Sequence, residues 1–302
     1  MCGIVGLFLK DAALQPRLGA LMAPMLAEMT ERGPDSAGFA IYRDGPARPT
    51  LSCLAPEGFD WDAAAAALAE ATGAPAEVEV IADHGLIRTG ADLRAARRHL
   101  IDTFPGINVL ATGEAIEVFK GVGDPMAVAR TFGLEGRSGT HGIAHTRMAT
   151  ESAVTISGSH PFSTGPDTCL VHNGSLSNHF MLRTFLEAKG ERLQTQNDSE
   201  VAAAFLSWRM REGDTLRQAL EAALTALDGF YTFTIGTRDG FAVLRDPISC
   251  KPAVLAETDQ WVAMASEFRA IAPLPGVEAA RIWEPEPGIV YSWGRDGMRA
   301  AA

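Results

Sequence analysis

The order of strand and helix signals is what most constrains the fold of this chain. A short apolar run, Ile4, Val5, Leu7 and Phe8, reads as a buried strand at the start of the sequence. Further strand signals lie at Phe39 to Tyr42, Val78 to Ala82, near Val109 and Ile116, and through Gly142 to His145. Leu18 to Thr30 is apolar at helical spacing, with Pro24 expected to start or kink that helix. Amphipathic helices then occupy Val201 to Arg211 and Thr215 to Leu227. Phe230 to Ile235 and Phe241 to Leu244 alternate as a hairpin, and strands near Ala253, Trp261, Ala280 and Ile289 close the chain. Strands, then helices, then strands predict a layered α+β fold and argue against a parallel, doubly wound sheet. With 302 residues, 47% of them hydrophobic, there is enough apolar surface for a large core.

Charge and cysteine usage narrow the function. A net charge of -11 with no basic stripe disfavours a nucleic-acid groove, because phosphate contacts need clustered Lys and Arg. The apolar start gives way to Lys10 and Asp11, too short for a signal peptide, and no run of about 18 apolar residues suggests a membrane span. A soluble, cytoplasmic protein is expected. Cys2, Cys53, Cys169 and Cys250 are scattered and read as reduced thiols, not as a zinc site or a disulfide framework. His141 and His145 are four apart, but the residues between them look like strand, which disfavours a metal pair on a helix.

Four constellations can carry chemistry. Cys2 follows the initiator methionine, so removal of Met1 leaves a thiol and a free α-amino group on one residue. That amine, with an ordinary pKa of about 7.7 to 8.0, can serve as a base beside its own thiol. His145-Thr146-Arg147 ends a strand in a guanidinium suited to a carboxylate. His172-Asn173-Gly174 permits two readings: Asn-Gly is a strong hairpin signal, whereas the Asn173 amide and the Gly174 backbone N–H can also form an oxyanion hole. In Asn197-Asp198-Ser199-Glu200, the residues Asn197 and Glu200 fit a capping box, and Asp198 suits either the helix dipole or a ligand ammonium. The stretch from about 45 to 138 differs in character and shows no such constellation; Gly121-Val122-Gly123 reads as a turn.

Cys2-Gly3-Ile4, Arg32-Gly33-Pro34-Asp35-Ser36-Ala37-Gly38, His145-Thr146-Arg147, His172-Asn173-Gly174, Asp198, Arg245-Asp246-Pro247 and Ala265-Ser266-Glu267 occur in that order. The chain resembles the class II glutamine amidotransferases from end to end. The resemblance implies an N-terminal nucleophile hydrolase fold, a four-layer αββα sandwich in a single domain, with residues 45–138 as a family-specific insertion. It implies Cys2 as nucleophile, Asn173 and Gly174 as oxyanion hole, Arg147 on the substrate carboxylate and Asp198 on its ammonium. Thr150 is implied in the same substrate loop, and Arg32 and Asp35 beside the nucleophile. Relatives often carry an aromatic residue where Met148 stands here.

Within that family the chain is similar to the stand-alone subunits of N-methylglutamate synthase and other glutamate-synthase-like complexes. This implies glutamine or γ-glutamylmethylamide as donor. The implied partners are a flavin-dependent glutamate-synthase-like subunit and a subunit like the glutamate-synthase C-terminal domain. FMN and iron–sulfur clusters are expected in those partners, since this chain has no cysteine cluster to hold one. The alternatives are a non-catalytic assembly subunit of the same complex, or the glutaminase subunit of another glutamate-synthase-like enzyme.

Overall fold

β1 (Gly3–Leu9) is buried over its whole length because apolar layers cover both of its faces. Val5, Leu7 and Leu9 enter one layer and Ile4 and Phe8 the other, the two-residue period of an extended strand. This computed structural model describes residues 2–148 and 154–294. After β1 come α1 (Leu18–Ala27), β2 (Ser36–Tyr42), β3 (Thr50–Leu54), α2 (Trp61–Thr72), β4 (Ala76–Ile81) and β5 (His84–Thr89). Next are α3 (Leu93–Thr103), β6 (Asn108–Gly113), β7 (Ile116–Val122), α4 (Pro125–Thr131), β8 (His141–Arg147) and β9 (Cys169–Leu176). The helices α5 (His179–Ala188), α6 (Asp198–Arg211) and α7 (Leu216–Ala226) follow. The chain then forms β10 (Gly229–Thr237), β11 (Gly240–Arg245), β12 (Val254–Glu257), β13 (Trp261–Ala265), β14 (Arg281–Trp283) and β15 (Val290–Gly294).

A seven-stranded sheet has the order β14-β12-β13-β1-β8-β2-β7, and a four-stranded sheet the order β15-β11-β10-β9. Every ladder in both is antiparallel. Ile4, Phe8, Ile143, Val171, Phe241 and Met264 fill the space between the two sheets. On the outer face of the larger sheet, Leu18, Met22 and Met25 of α1 and Val128 of α4 pack on Val5, Phe39 and Ala144. On the other side, α5, α6 and α7 cover Phe233, Ile235 and Leu244. Each such buried side chain contributes roughly 1.5–3 kcal/mol. These are the four layers of an αββα sandwich, the expected α+β architecture. α1 begins at Leu18 and carries Pro24 inside it, so the proline does not start the helix.

Residues 50–113 form a third sheet, β4-β5-β3-β6, which closes its own core of Leu51, Trp61, Leu68, Ile87, Leu100 and Val109 under α2 and α3. Of the stretch 45–138, β7 and α4 belong instead to the sandwich, where β7 pairs with β2. Asp167 secures the turn from β6 to β7 by accepting the backbone N–H groups of Glu114, Ala115 and Ile116 at 2.8–3.0 Å. Among the described residues, no helix is long and apolar enough to cross a membrane.

Candidate active site

Antiparallel pairing places the first residue of β1 beside the last residues of β8, with Gly3 opposite Thr146. Cys2 therefore emerges next to Arg147. The facing sheet brings β9 to the same end, and the N-terminus of α6 adds Asp198. A cleft of about 880 Å³ is lined by Cys2, Arg147, Asn173, Gly174 and Asp198, with Met148 and Lys251 also on its wall. Volume alone does not distinguish it, since two other hollows measure about 810 and 990 Å³. What sets it apart is a half-buried thiol surrounded by convergent polar groups.

The carbonyl oxygen of Cys2 is held by two side chains. Arg32 Nε donates to the Cys2 carbonyl oxygen at 3.0 Å and Asn173 Nδ2 donates to the same atom at 3.2 Å. Arg32 also pairs with Glu267, whose carboxyl lies below its ordinary range chiefly because it accepts from Arg32. Two residues further on, Ile4 N donates to Ser266 Oγ at 2.9 Å, and Ser266 N to Ile4 O at 3.0 Å. Gly33 lets the Arg32–Asp35 loop lie against β8: a Cβ there would sit 2.4 Å from Arg147 N. Asp35 N donates to Arg147 O at 3.1 Å, and Asp35 is not among the residues lining the cleft. Thr150 lies outside the described residues.

Two local readings of the sequence are corrected. Asn173-Gly174 is no hairpin: β9 runs straight through it and pairs with β10 from Cys169 to Leu176. Gly174 is required there, with φ at +152° and a would-be Cβ 2.0 Å from Phe230 O. Asn197 does cap α6, accepting Ser199 N at 2.8 Å, but Glu200 does not return the bond. It accepts Gln194 N and Thr195 N instead, each at 2.7 Å, fixing the loop that leads into the helix.

Sequence reasoning missed a buried histidine cluster beneath the cleft. His145 Nε2 reaches His172 O at 3.1 Å, and the His145 and His160 rings lie 4.0 Å apart. Burial pushes His145 down to about 3, with the charge of His172 adding to the effect. Burial also pushes His160 well down and lowers His172, which Asp198 partly opposes. An unfolded histidine titrates near 6.5, so on acidification the unfolded chain takes up protons that the native state refuses. The stabilisation is complete above about pH 6.5 and is lost progressively as pH falls toward the depressed native values. His145 alone should account for about 2 kcal/mol between neutrality and pH 5. Urea titrations at pH 7 and pH 5 should show this loss, with a shallower pH slope in His145→Gln.

The protein resembles glutamine phosphoribosylpyrophosphate amidotransferase from B. subtilis with a TM-score of 0.64 at 21% identity, covering 99% of this chain and 49% of that one. That likeness identifies the fold of the N-terminal nucleophile hydrolases. Residues 145–273 match the family described as Glutamine amidotransferase domain. The chain is 53% identical over 305 residues to the glutamine amidotransferase-like protein GlxB of Rhizobium meliloti (strain 1021), covering 100% of both. It is 32% identical to the "Putative glutamine amidotransferase" of Methanothermobacter thermautotrophicus, covering 96% of this chain and 98% of that one. The chain belongs to the class II glutamine amidotransferases, an enzyme family.

Proposed function

We propose that this protein releases ammonia or methylamine from a γ-glutamyl amide through a Cys2 thioester. The amine is handed to a flavin-dependent, glutamate-synthase-like partner in the cytoplasm, of the N-methylglutamate synthase type. The observation that carries this reading is the meeting of Cys2, Asn173, Gly174, Arg147 and Asp198 in one cleft.

After removal of Met1, the Cys2 amine takes the thiol proton and the sulfur attacks the γ-carbonyl carbon. The Asn173 side-chain N–H and the Gly174 backbone N–H stabilise the oxyanion. The amide nitrogen takes the proton and leaves as ammonia or methylamine when the C–N bond breaks. Water then cleaves the thioester, giving glutamate and free Cys2. Arg147 holds the donor's α-carboxylate and Asp198 its ammonium, so a whole glutamyl unit is required. Asn173 Nδ2 carries two N–H groups, so donation to Cys2 O leaves the second for the substrate. Arg32 fixes the nucleophile's backbone from behind, and Asp35 fixes the strand end that carries Arg147.

Met148 on the cleft wall is a flexible apolar neighbour for an N-methyl group. The processed chain, alone and with its synthase partners, is to be given glutamine and γ-glutamylmethylamide while glutamate and free amine are measured. Turnover of the methylamide within about tenfold of glutamine supports the N-methylglutamate assignment, since one methyl group is discriminated by only about 10–200-fold. Turnover of glutamine alone removes that assignment and leaves a glutaminase subunit. No release from either donor in the assembled complex favours an assembly subunit.

A further inference from the structure

We infer that Ser199 and His172 are positioning residues that link Asp198 to the Asn173–Gly174 segment, so that capture of the donor's ammonium also raises the rate at the amide. This rests on the roles proposed above for Asp198, Asn173 and Gly174.

Asp198 grips β9 on both sides of that segment. Its Oδ2 accepts Leu176 N at 2.9 Å, two residues beyond Gly174. Its Oδ1 faces Ser199 Oγ at 3.3 Å and His172 Nδ1 at 3.9 Å, and His172 immediately precedes Asn173. Ser199 Oγ lies 2.8 Å from His172 Nδ1 and 2.9 Å from His160 Nε2. A hydroxyl has one proton and two lone pairs, and an ionised carboxylate only accepts. Ser199 Oγ can thus donate to Asp198 while accepting from both histidines. In that arrangement His172 is the Nδ1–H tautomer and its Nε2 carries no proton.

His172 Nε2 is buried and has no hydrogen-bond partner among the described residues. It lies 2.7 Å from where a Cβ on Gly174 would stand, because residues two apart share a strand face. The imidazole is thus wedged between Ser199 and the Gly174 backbone. An ammonium that bonds Asp198 best when this wedge is seated adds its interaction energy to the alignment of Asn173 and Gly174.

The test uses the full chain with Met1 removed, assembled with its synthase partners, and compares glutamine with glutaramate, which lacks the α-amino group. Steady-state kcat and KM are measured for the wild type, Ser199→Ala and the hydroxyl-retaining Ser199→Thr, with thermal stability recorded for each. Coupling predicts that the wild-type preference for glutamine in kcat shrinks about five- to tenfold in Ser199→Ala and is largely kept in Ser199→Thr. Equal loss of kcat on both donors, or a change confined to KM, makes Ser199 merely structural and overturns the inference. Absence of Cys2-dependent ammonia release in the wild type overturns the amidotransferase reading itself, and shows before any variant is compared.

Discussion

Cys2→Ala is expected to lower amide hydrolysis by at least about 10⁴-fold while leaving the protein folded, because the proposed nucleophile is lost and no second thiol is among the described residues lining the cleft. The other thiols offer no rescue. Burial pushes Cys53 and Cys169 each up to about 12, so both stay protonated at neutral pH. Cys250 is exposed but does not line the cleft. Stability should change by less than about 1 kcal/mol, since Arg32 and Asn173 hold the backbone carbonyl of residue 2 and not its side chain. Ammonia release, together with mass spectrometric trapping of a γ-glutamyl adduct, checks both halves. Activity retained in Cys2→Ala would place the chemistry elsewhere.

The sandwich was legible because its strands announce themselves in two different ways. β1 is a continuous apolar run, as a strand covered on both faces must be, and β10 and β11 alternate around a short turn. The candidate site was legible through the order of its motifs, because a cysteine at position two or an arginine closing a buried strand has ordinary structural uses when taken alone. It was illegible where partners lie far apart in sequence. Arg32 meets Glu267 across 235 positions and Ile4 meets Ser266 across 262, and no local pattern encodes such pairs. Ser199 was hidden for the opposite reason. A serine in the first turn of a helix has an ordinary explanation in capping, and only the three-dimensional approach of His172 and His160 gives it another. Asn173-Gly174 shows how a strong local signal loses. Eight residues of ladder with β10 outweigh the turn preference, and the positive φ of Gly174 is absorbed inside the strand.

Asn173→Ala should then reduce kcat by about 10²–10³ with KM little changed, the signature of a donor aimed at charge that exists only in the transition state. The nucleophile should stay in place in this variant, because Arg32 still donates to the Cys2 carbonyl oxygen at 3.0 Å after the amide is gone. Gly174→Ala is the harsher change. Its Cβ would meet Phe230 O at 2.0 Å and His172 Nε2 at 2.7 Å, so β9 must shift from β10 and both activity and stability should fall. Comparing the two separates chemistry from scaffolding: urea midpoints should be near wild type for Asn173→Ala and clearly lower for Gly174→Ala. A rise in KM with unchanged kcat in Asn173→Ala would mean that the amide binds the donor's ground state. The oxyanion would then depend on the backbone N–H of Gly174 and on no side chain of β9.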